Sequence, residues 1–140
     1  MTAELLSKGN ALGWFQDRME WGPRALGNRS ILADPRHQEM KDIVNAKIKF
    51  REPYRPFAPS VLAEKASEYF ELENAEKSYP ARYMLLVTPV RKNYAEKLPA
   101  ITHVDGTARL QTVHKQTNPR YYKLIEEFGH QTGIYVFLNT

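Results

Sequence analysis

Residues 18–62, RMEWGPRALGNRSILADPRHQEMKDIVNAKIKFREPYRPFAPSVL, place cations at both ends of a short predicted helix. Arg18, Arg24 and Arg29 stand in the first dozen residues, and Lys49, Arg51 and Arg55 in the last fourteen. Such an arrangement suggests one anionic ligand gripped from two sides. Arginine brings a planar fork of donors that matches phosphate or carboxylate, and lysine a point charge. The bland alternative is a solvated basic face, because charged side chains are mostly exposed. Residues that dictate backbone shape argue against it. Gly22-Pro23 and Gly27-Asn28 bracket Arg24, glycine permitting positive φ and proline fixing φ. Pro53, Pro56 and Pro59 recur around Arg55, a spacing that favours a stiff, extended backbone. A cation on a stiff segment loses little freedom on binding.

Within the stretch, residues 30–33 read as a strand or the end of a loop, and Asp34-Pro35 as a turn. Met40, Ile43 and Val44 share one side of a predicted helix over 38–46. Ile48 and Phe50 then alternate with Lys47, Lys49 and Arg51, a strand pattern that would put the three cations on one face. Residues 56–62 read as extended and 63–70 as helix. Upstream, Thr2 caps a short helix over 2–8 that Gly9 ends, and ALGWFQ (11–16) reads as a buried strand with Trp14 and Phe15 in the core. Downstream, the polar residues 71–81 read as loop. RYMLLVTPV (82–90) is the strongest strand candidate, its apolar centre implying burial on both faces, with Pro89 at its end or at a sheet edge. Residues 91–99 form a charged connection. Strand patterns over 101–104 and 107–113 flank an Asp105-Gly106 turn. Asn118 caps a helix with Pro119 at its first position, running to about 131 with Tyr122, Ile125, Glu126 and Gly129 on one side. Gly133 ends it, and 134–138 is a final apolar strand. Strands mixed with helices along the whole length give a layered α/β (α+β) domain.

A chain of 140 residues is one domain on size and long enough to bury a sizeable core. Twenty Lys and Arg against 16 Asp and Glu is too mild an excess to imply nucleic acid. The absence of cysteine excludes disulfides, thiolate chemistry and cysteine metal sites. The N-terminus lacks the apolar centre of a signal peptide, and no apolar run approaches a membrane span. A soluble, cytoplasmic domain with no membrane partner is expected. The chain has no P-loop and no Gly-rich dinucleotide fingerprint, so any nucleotide would be held by clustered Arg and Lys. No Ser-His-Asp or Cys-His nucleophile can be assigned, and Ser30 and Ser60 read as phosphate donors. His103 and Asp105 are too few and too unlike for a closed metal site, and the simple reading is a turn in which Asp105 bonds backbone amides.

FQDRMEWGPRALGNRSILADPR and KIKFREPYRPFAPSVL resemble the C-terminal part of the NodU/CmcH family of carbamoyltransferases, and HVDGTARLQTV, NPRYYKLIEEFG and the terminal LNT resemble further blocks in the same order. The resemblance covers nearly all of the chain. Asp17 stands where the family pattern generally has Gly, which bears on the local turn. The family continues with Ser-Phe-Asn beyond Asn139-Thr140 and carries a larger catalytic domain before Met1. The resemblance thus implies a single domain, 1–140, excised from a longer chain and partnered by that N-terminal domain.

The resemblance further implies a YrdC-like fold, an open twisted mixed sheet with flanking helices, that makes carbamoyl-adenylate from carbamoyl phosphate and ATP. Mg²⁺ is expected with the ATP. The N-terminal part would pass the carbamoyl group to a hydroxyl acceptor. Arg24, Lys49 and Arg55 are the expected catalytic cations. Arg18, Asn28, Arg29, Ser30, Arg51, Ser60, His103, Thr107 and Arg109 are the expected substrate and nucleotide contacts. Adenylyl transfer is mostly positioning and charge stabilisation, which suits cations without a protein nucleophile. Two alternatives stay open: a basic RNA-binding module, disfavoured because aromatics are not interleaved with the basic residues, and a non-catalytic lid or assembly domain.

Overall fold

Side chains alternate between the two faces of a strand, and in this chain both faces are largely apolar, so the sheet is covered on both sides. The computed structural model describes residues 1–50, 52 and 54–140. Among them, β1 (Leu12–Phe15), β2 (Arg29–Ala33), β3 (Ala58–Leu62), β4 (Leu86–Pro89), β5 (Thr107–Val113) and β6 (Val136–Asn139) form one open sheet in the order β1-β2-β6-β3-β5-β4. β3 and β5 run parallel, and the other neighbours are antiparallel. The expected mixed α/β sheet with flanking helices is what the chain forms.

One face carries α1 (Thr2–Ser7) and α6 (Pro119–Thr132). Leu6, Tyr121, Ile125 and Phe128 pack there on Leu32, Leu62, Val113 and Phe137. The other face carries α2 (Glu39–Val44) and α3 (Ala66–Tyr69). Met40, Val44, Tyr69 and Phe70 pack there on Ala33, Val61, Leu110, Val136 and Leu138. Full burial of one such side chain contributes roughly 1.5–3 kcal/mol. α6 forms as its sequence dictates: the Asn118 side chain accepts from the Tyr121 amide, Pro119 opens the helix and Gly133 follows it.

Several elements differ from expectation, each for a local reason. Thr2 lies inside α1 and makes no cap bond, while Gly9 does end the helix by donating to Leu6 O. Residues 45–49 continue α2 as a π-helix, closed by Phe50 N donating to Asn45 O at 2.7 Å, rather than starting a strand. The predicted common face is lost with it: Lys47 is exposed, Lys49 is half-buried, and Arg51 lies outside the described residues. Pro53 of the proline series also lies outside them. Strand β4 is only the end of the apolar 82–90 run and sits at the sheet edge, with Val87 54% exposed. α4 (Tyr79–Arg82) and the positive φ of Met84 take up the rest, so burial on both faces does not occur, though Pro89 does sit on an edge strand. A further short helix, α5 (Lys92–Ala95), interrupts the charged connection. Residues 101–104 form turns, Ile101 N and Thr102 N both donating to Leu98 O, and no strand. The Asp105-Gly106 turn is present, and Asp105 accepts from the Thr107 amide as expected. Phe15 is 76% exposed rather than in the core, and Trp14 is half-buried.

Gly27 fixes the 24–29 loop against α6. Its φ is +109°, and a Cβ at this position would lie 2.3 Å from Tyr121 Cδ1, in a ring that is fully buried. Gly9, also at positive φ, has open space around its Cα. Gly27→Ala is expected to cost about 3 kcal/mol, from strain plus overpacking, and Gly9→Ala about 1 kcal/mol, from strain alone. Urea unfolding of both variants measures this, and equal losses would show that the loop does not pack tightly on α6.

Candidate functional site

A cleft of about 710 Å³ opens at the end of the sheet where β6 finishes and β3 begins. Its wall combines β1, β2, the residues leading into β3, the loop over 19–25, and Lys49 at the end of the π-helix. Four cations line it: Arg24, Arg29, Lys49 and Arg109. Glu20 is the one carboxylate among the described lining residues. The volume falls within the roughly 300–1,000 Å³ of small-molecule sites.

The loop that carries Arg24 is held from below and from one side. Below it, Ser60, Gln111 and Asn139 share the α6 face of three adjacent strands. Ser60 Oγ donates to Gln111 Oε1 at 2.6 Å, and Asn139 Nδ2 donates to Ser60 Oγ at 2.9 Å. Gln111 Nε2 then reaches Leu26 O at 2.7 Å, and Asn139 Nδ2 reaches Ala25 O at 3.1 Å. From the side, the Glu20 carboxylate accepts the amides of Leu26, Asn28 and Arg29 at 2.8, 2.9 and 3.2 Å. Ser30 Oγ accepts the Gly27 amide at 3.0 Å. The amides of residues 26–29 and the carbonyls of Ala25 and Leu26 are therefore satisfied by side chains, as buried backbone groups away from regular structure must be.

Arg24 sits half-buried on this support, and its Nε is shielded from solvent with no hydrogen-bond partner among the described residues. A buried donor left unmade is costly, so an acceptor entering the cleft would be favoured at this point. Arg29 is differently used. Its guanidinium donates to the carbonyls of Gln16, Asp17 and Asn28 and lies 3.4 Å from the centre of the Phe15 ring. It holds the β1–β2 connection together and brings charge to the cleft wall. Asp17, where the resemblance expects glycine, takes φ +46°. Glycine adopts that conformation freely and aspartate tolerates it.

The cleft gathers Arg24, Arg29, Ser30, Lys49 and Arg109 of the residues singled out in the sequence. It does not gather the others. Arg55 is exposed, pairs with Glu52 at 2.9 Å and is not among the residues that line the cleft. Arg18 is exposed, its carbonyl accepting from Asn28 Nδ2. Asn28 faces a smaller, neighbouring cavity. Ser60 lies buried in the network beneath the loop. His103 and Thr107 pair with each other at 3.2 Å in the Asp105-Gly106 turn, away from the cleft lining. Burial holds the His103 imidazole below its ordinary pKa, despite the nearby Asp105 carboxylate. Arg51 lies outside the described residues.

Sequence reasoning missed Glu20, Gln111 and Asn139. Asn139 could have been found as the polar residue of an otherwise apolar strand, where a buried carboxamide must have a partner, whereas Gln111 stands among the other polar residues of β5. Glu20 carried no such signal, because an acid inside a basic motif reads equally well as a surface charge.

This is a mixed α/β domain with a cationic cleft at one end of its sheet. Over residues 3–140 it matches the family described as carbamoyltransferase C-terminus, and the chain belongs to that family. It is 54% identical to nodulation protein NolNO of Sinorhizobium fredii, over 99% of this chain and 20% of that protein. It is 42% identical to the 3'-hydroxymethylcephem-O-carbamoyltransferase of Amycolatopsis lactamdurans, over 96% of this chain and 24% of that protein. Nodulation protein U of Sinorhizobium fredii is 38% identical, over 99% of this chain and 24% of that protein. The chain thus spans about a quarter or less of the length of these relatives.

Glu20→Ala separates two roles for this carboxylate. If Glu20 acted only as a negative charge, its loss would tighten anion binding. As the acceptor for three loop amides, its loss is expected to weaken phosphate binding about tenfold and to cost on the order of 2–4 kcal/mol of stability. Calorimetry with inorganic phosphate and urea unfolding give both values, and tighter binding with unchanged stability would contradict the anchoring role.

Proposed function

We propose that the cleft binds carbamoyl phosphate and ATP and brings them together to form carbamoyl-adenylate. The observation that carries this reading is the cationic cleft itself, with Arg24 Nε shielded from solvent and without a hydrogen-bond partner among the described residues. The open mixed sheet is consistent with the YrdC-like fold that the sequence resemblance implies. Both substrates are polyanions that repel each other, so their meeting requires fixed positive charge. Arg24, Lys49 and Arg109 supply it from three separate elements, with Ser30 adding a neutral donor. Water first cleaves the P–O bond of carbamoyl phosphate, releasing inorganic phosphate and carbamate; a carbamate oxygen then bonds to the α-phosphorus of ATP as the bond to pyrophosphate breaks. Positioning and electrostatic stabilisation are enough for such a step, with no nucleophile from the protein.

Among the described residues no cluster of three or more His, Asp or Glu gathers to hold a metal. Mg²⁺ would therefore enter on the ATP phosphates and supply charge neutralisation there. Transfer to a hydroxyl acceptor, as the name of the cephem carbamoyltransferase states for that protein, would fall to an N-terminal domain of the same protein.

A second reading, RNA binding, draws support from exposed aromatics beside the cleft. Trp21 and Phe50 are solvent-exposed and adjoin lining residues in sequence, and exposed Tyr54 stands two residues before the lining Pro56. Stacking on such rings with a steep loss of affinity in salt would mark that function.

Calorimetry with ATP and with carbamoyl phosphate, at fixed ionic strength, tests the proposal. The chain should bind both and should not carbamoylate a final acceptor alone. Lys49→Ala should weaken binding roughly tenfold to a hundredfold, the loss of one charge-assisted hydrogen bond. Lys8→Ala, which removes only an exposed pair with Glu4 at 2.7 Å, should change little. Equal small effects of the two variants, or acceptor turnover by the chain, would overturn the reading.

A further inference from the structure

A second cavity, of about 200 Å³, shares Glu20 with the lining of the cleft. Arg82 at the end of α4, Thr112 near the end of β5, His114 just beyond it, and Thr117 and Asn118 at the start of α6 line this cavity. Its volume is below the roughly 300 Å³ at which drug-sized ligand sites begin, so it suits a small polar ligand. Arg82 is half-buried, and its Nε is shielded from solvent with no hydrogen-bond partner among the described residues. An acceptor entering the cavity would satisfy that donor.

The surroundings favour an anion. His114 Nε2 lies 3.4 Å from Thr112 Oγ1, and the His114 carbonyl accepts the amides of Thr117 and Asn118, which folds the turn around the imidazole. Burial, then the Arg82 charge, lowers the His114 pKa, outweighing the carboxylates of Glu64 and Glu76. The Glu20 carboxylate on the shared wall is committed to three backbone amides. The N-terminus of α6 is not itself the attraction, because Asn118 Oδ1 already accepts from the Tyr121 amide and Gln16 Nε2. What remains is a guanidinium on α4 and an imidazole in the turn after β5, flanked by two hydroxyls: that of Thr112, paired with His114 Nε2, and that of Thr117, which donates to the His114 carbonyl at 3.4 Å. Donors converging from several directions match a tetrahedral oxyanion better than a planar carboxylate.

We propose that this cavity is a second anion site, which binds a phosphoryl group between the Arg82 guanidinium and the His114 imidazole. The inference does not rest on the function proposed for the cleft. The two cavities share Glu20 but no cation.

Inorganic phosphate, and glycerol 3-phosphate as a small phosphomonoester, are titrated into the chain while its four histidines are followed by NMR. The His114 ring resonances are expected to shift and saturate, and those of His103 and His130, outside the cavity, to stay. Saturation by both probes assigns a site for free phosphate, and saturation by glycerol 3-phosphate alone a site for a phosphoester; either supports the proposal. Arg82→Gln should raise the midpoint of the His114 shift about tenfold, whereas Arg24→Gln should leave it unchanged. If Arg82→Gln does not fold, Arg82→Lys keeps the charge but loses the fork, and should raise the midpoint several-fold. No saturable shift at His114 with either probe, or a midpoint indifferent to Arg82, would overturn the proposal. Dependence on Arg24 and not Arg82 would instead locate all phosphate binding in the cleft.

Discussion

Gln111 and Asn139 reach from the sheet to the carbonyls of Leu26 and Ala25, at 2.7 and 3.1 Å, and the rest of the cleft depends on those bonds. Both carboxamides are buried, so their hydrogen-bonding capacity cannot be met by bulk water. Ser60 joins them across β3, so three adjacent strands contribute to one polar network. A loop attached in this way has its carbonyls directed at the sheet and its cation directed at the opening. The arrangement places Arg24 at low cost in entropy on binding, the condition for a preformed anion site.

The opposite side of the loop is set by Glu20. A carboxylate accepting three amides is a strong local interaction, since hydrogen bonds to ionised groups are about twice as strong as neutral ones. It also places one negative charge between two cationic cavities. That charge stands beside Arg24 in one lining and Arg82 in the other, and neither Nε has a hydrogen-bond partner among the described residues. The π-helical turn at Asn45–Lys49 completes the cleft by re-aiming Lys49 inward. Such turns are commonly found at functional sites.

Much of the architecture was legible in the sequence because it rests on strong local rules. Asn118-Pro119 fixed the start of α6, and the alternation over 107–113 and the apolar run at 134–138 gave β5 and, within a residue or two, β6. The failures came where tertiary packing overrode pattern. Residues 45–49 alternate like a strand, yet Met40 and Val44 hold the preceding helix on the core and carry the chain on as a π-turn. The apolar 82–90 run looked doubly buried, yet it begins in a helix and ends on an edge. At the site, the sequence identified Arg24, Lys49 and Arg109 as candidate cations, and the structure brings them to one cleft. It did not show that Arg55 turns to Glu52, because the i, i+3 spacing of the two residues does not say which of several partners a cation takes. Nor could it show that Gln111 meets Leu26, because their partnership spans the fold.

The chain belongs to the carbamoyltransferase C-terminal family, and the central claim is that its cleft is a preformed site for a phosphoryl ligand. A crystal structure of the chain with carbamoyl phosphate and a non-hydrolysable ATP analogue tests this most directly. The account predicts phosphoryl density within hydrogen-bonding reach of Arg24 Nε and Lys49 Nζ, with Glu20 still on the amides of Leu26, Asn28 and Arg29. Ligand bound elsewhere, or a 24–29 loop that must rebuild to receive it, would contradict the account.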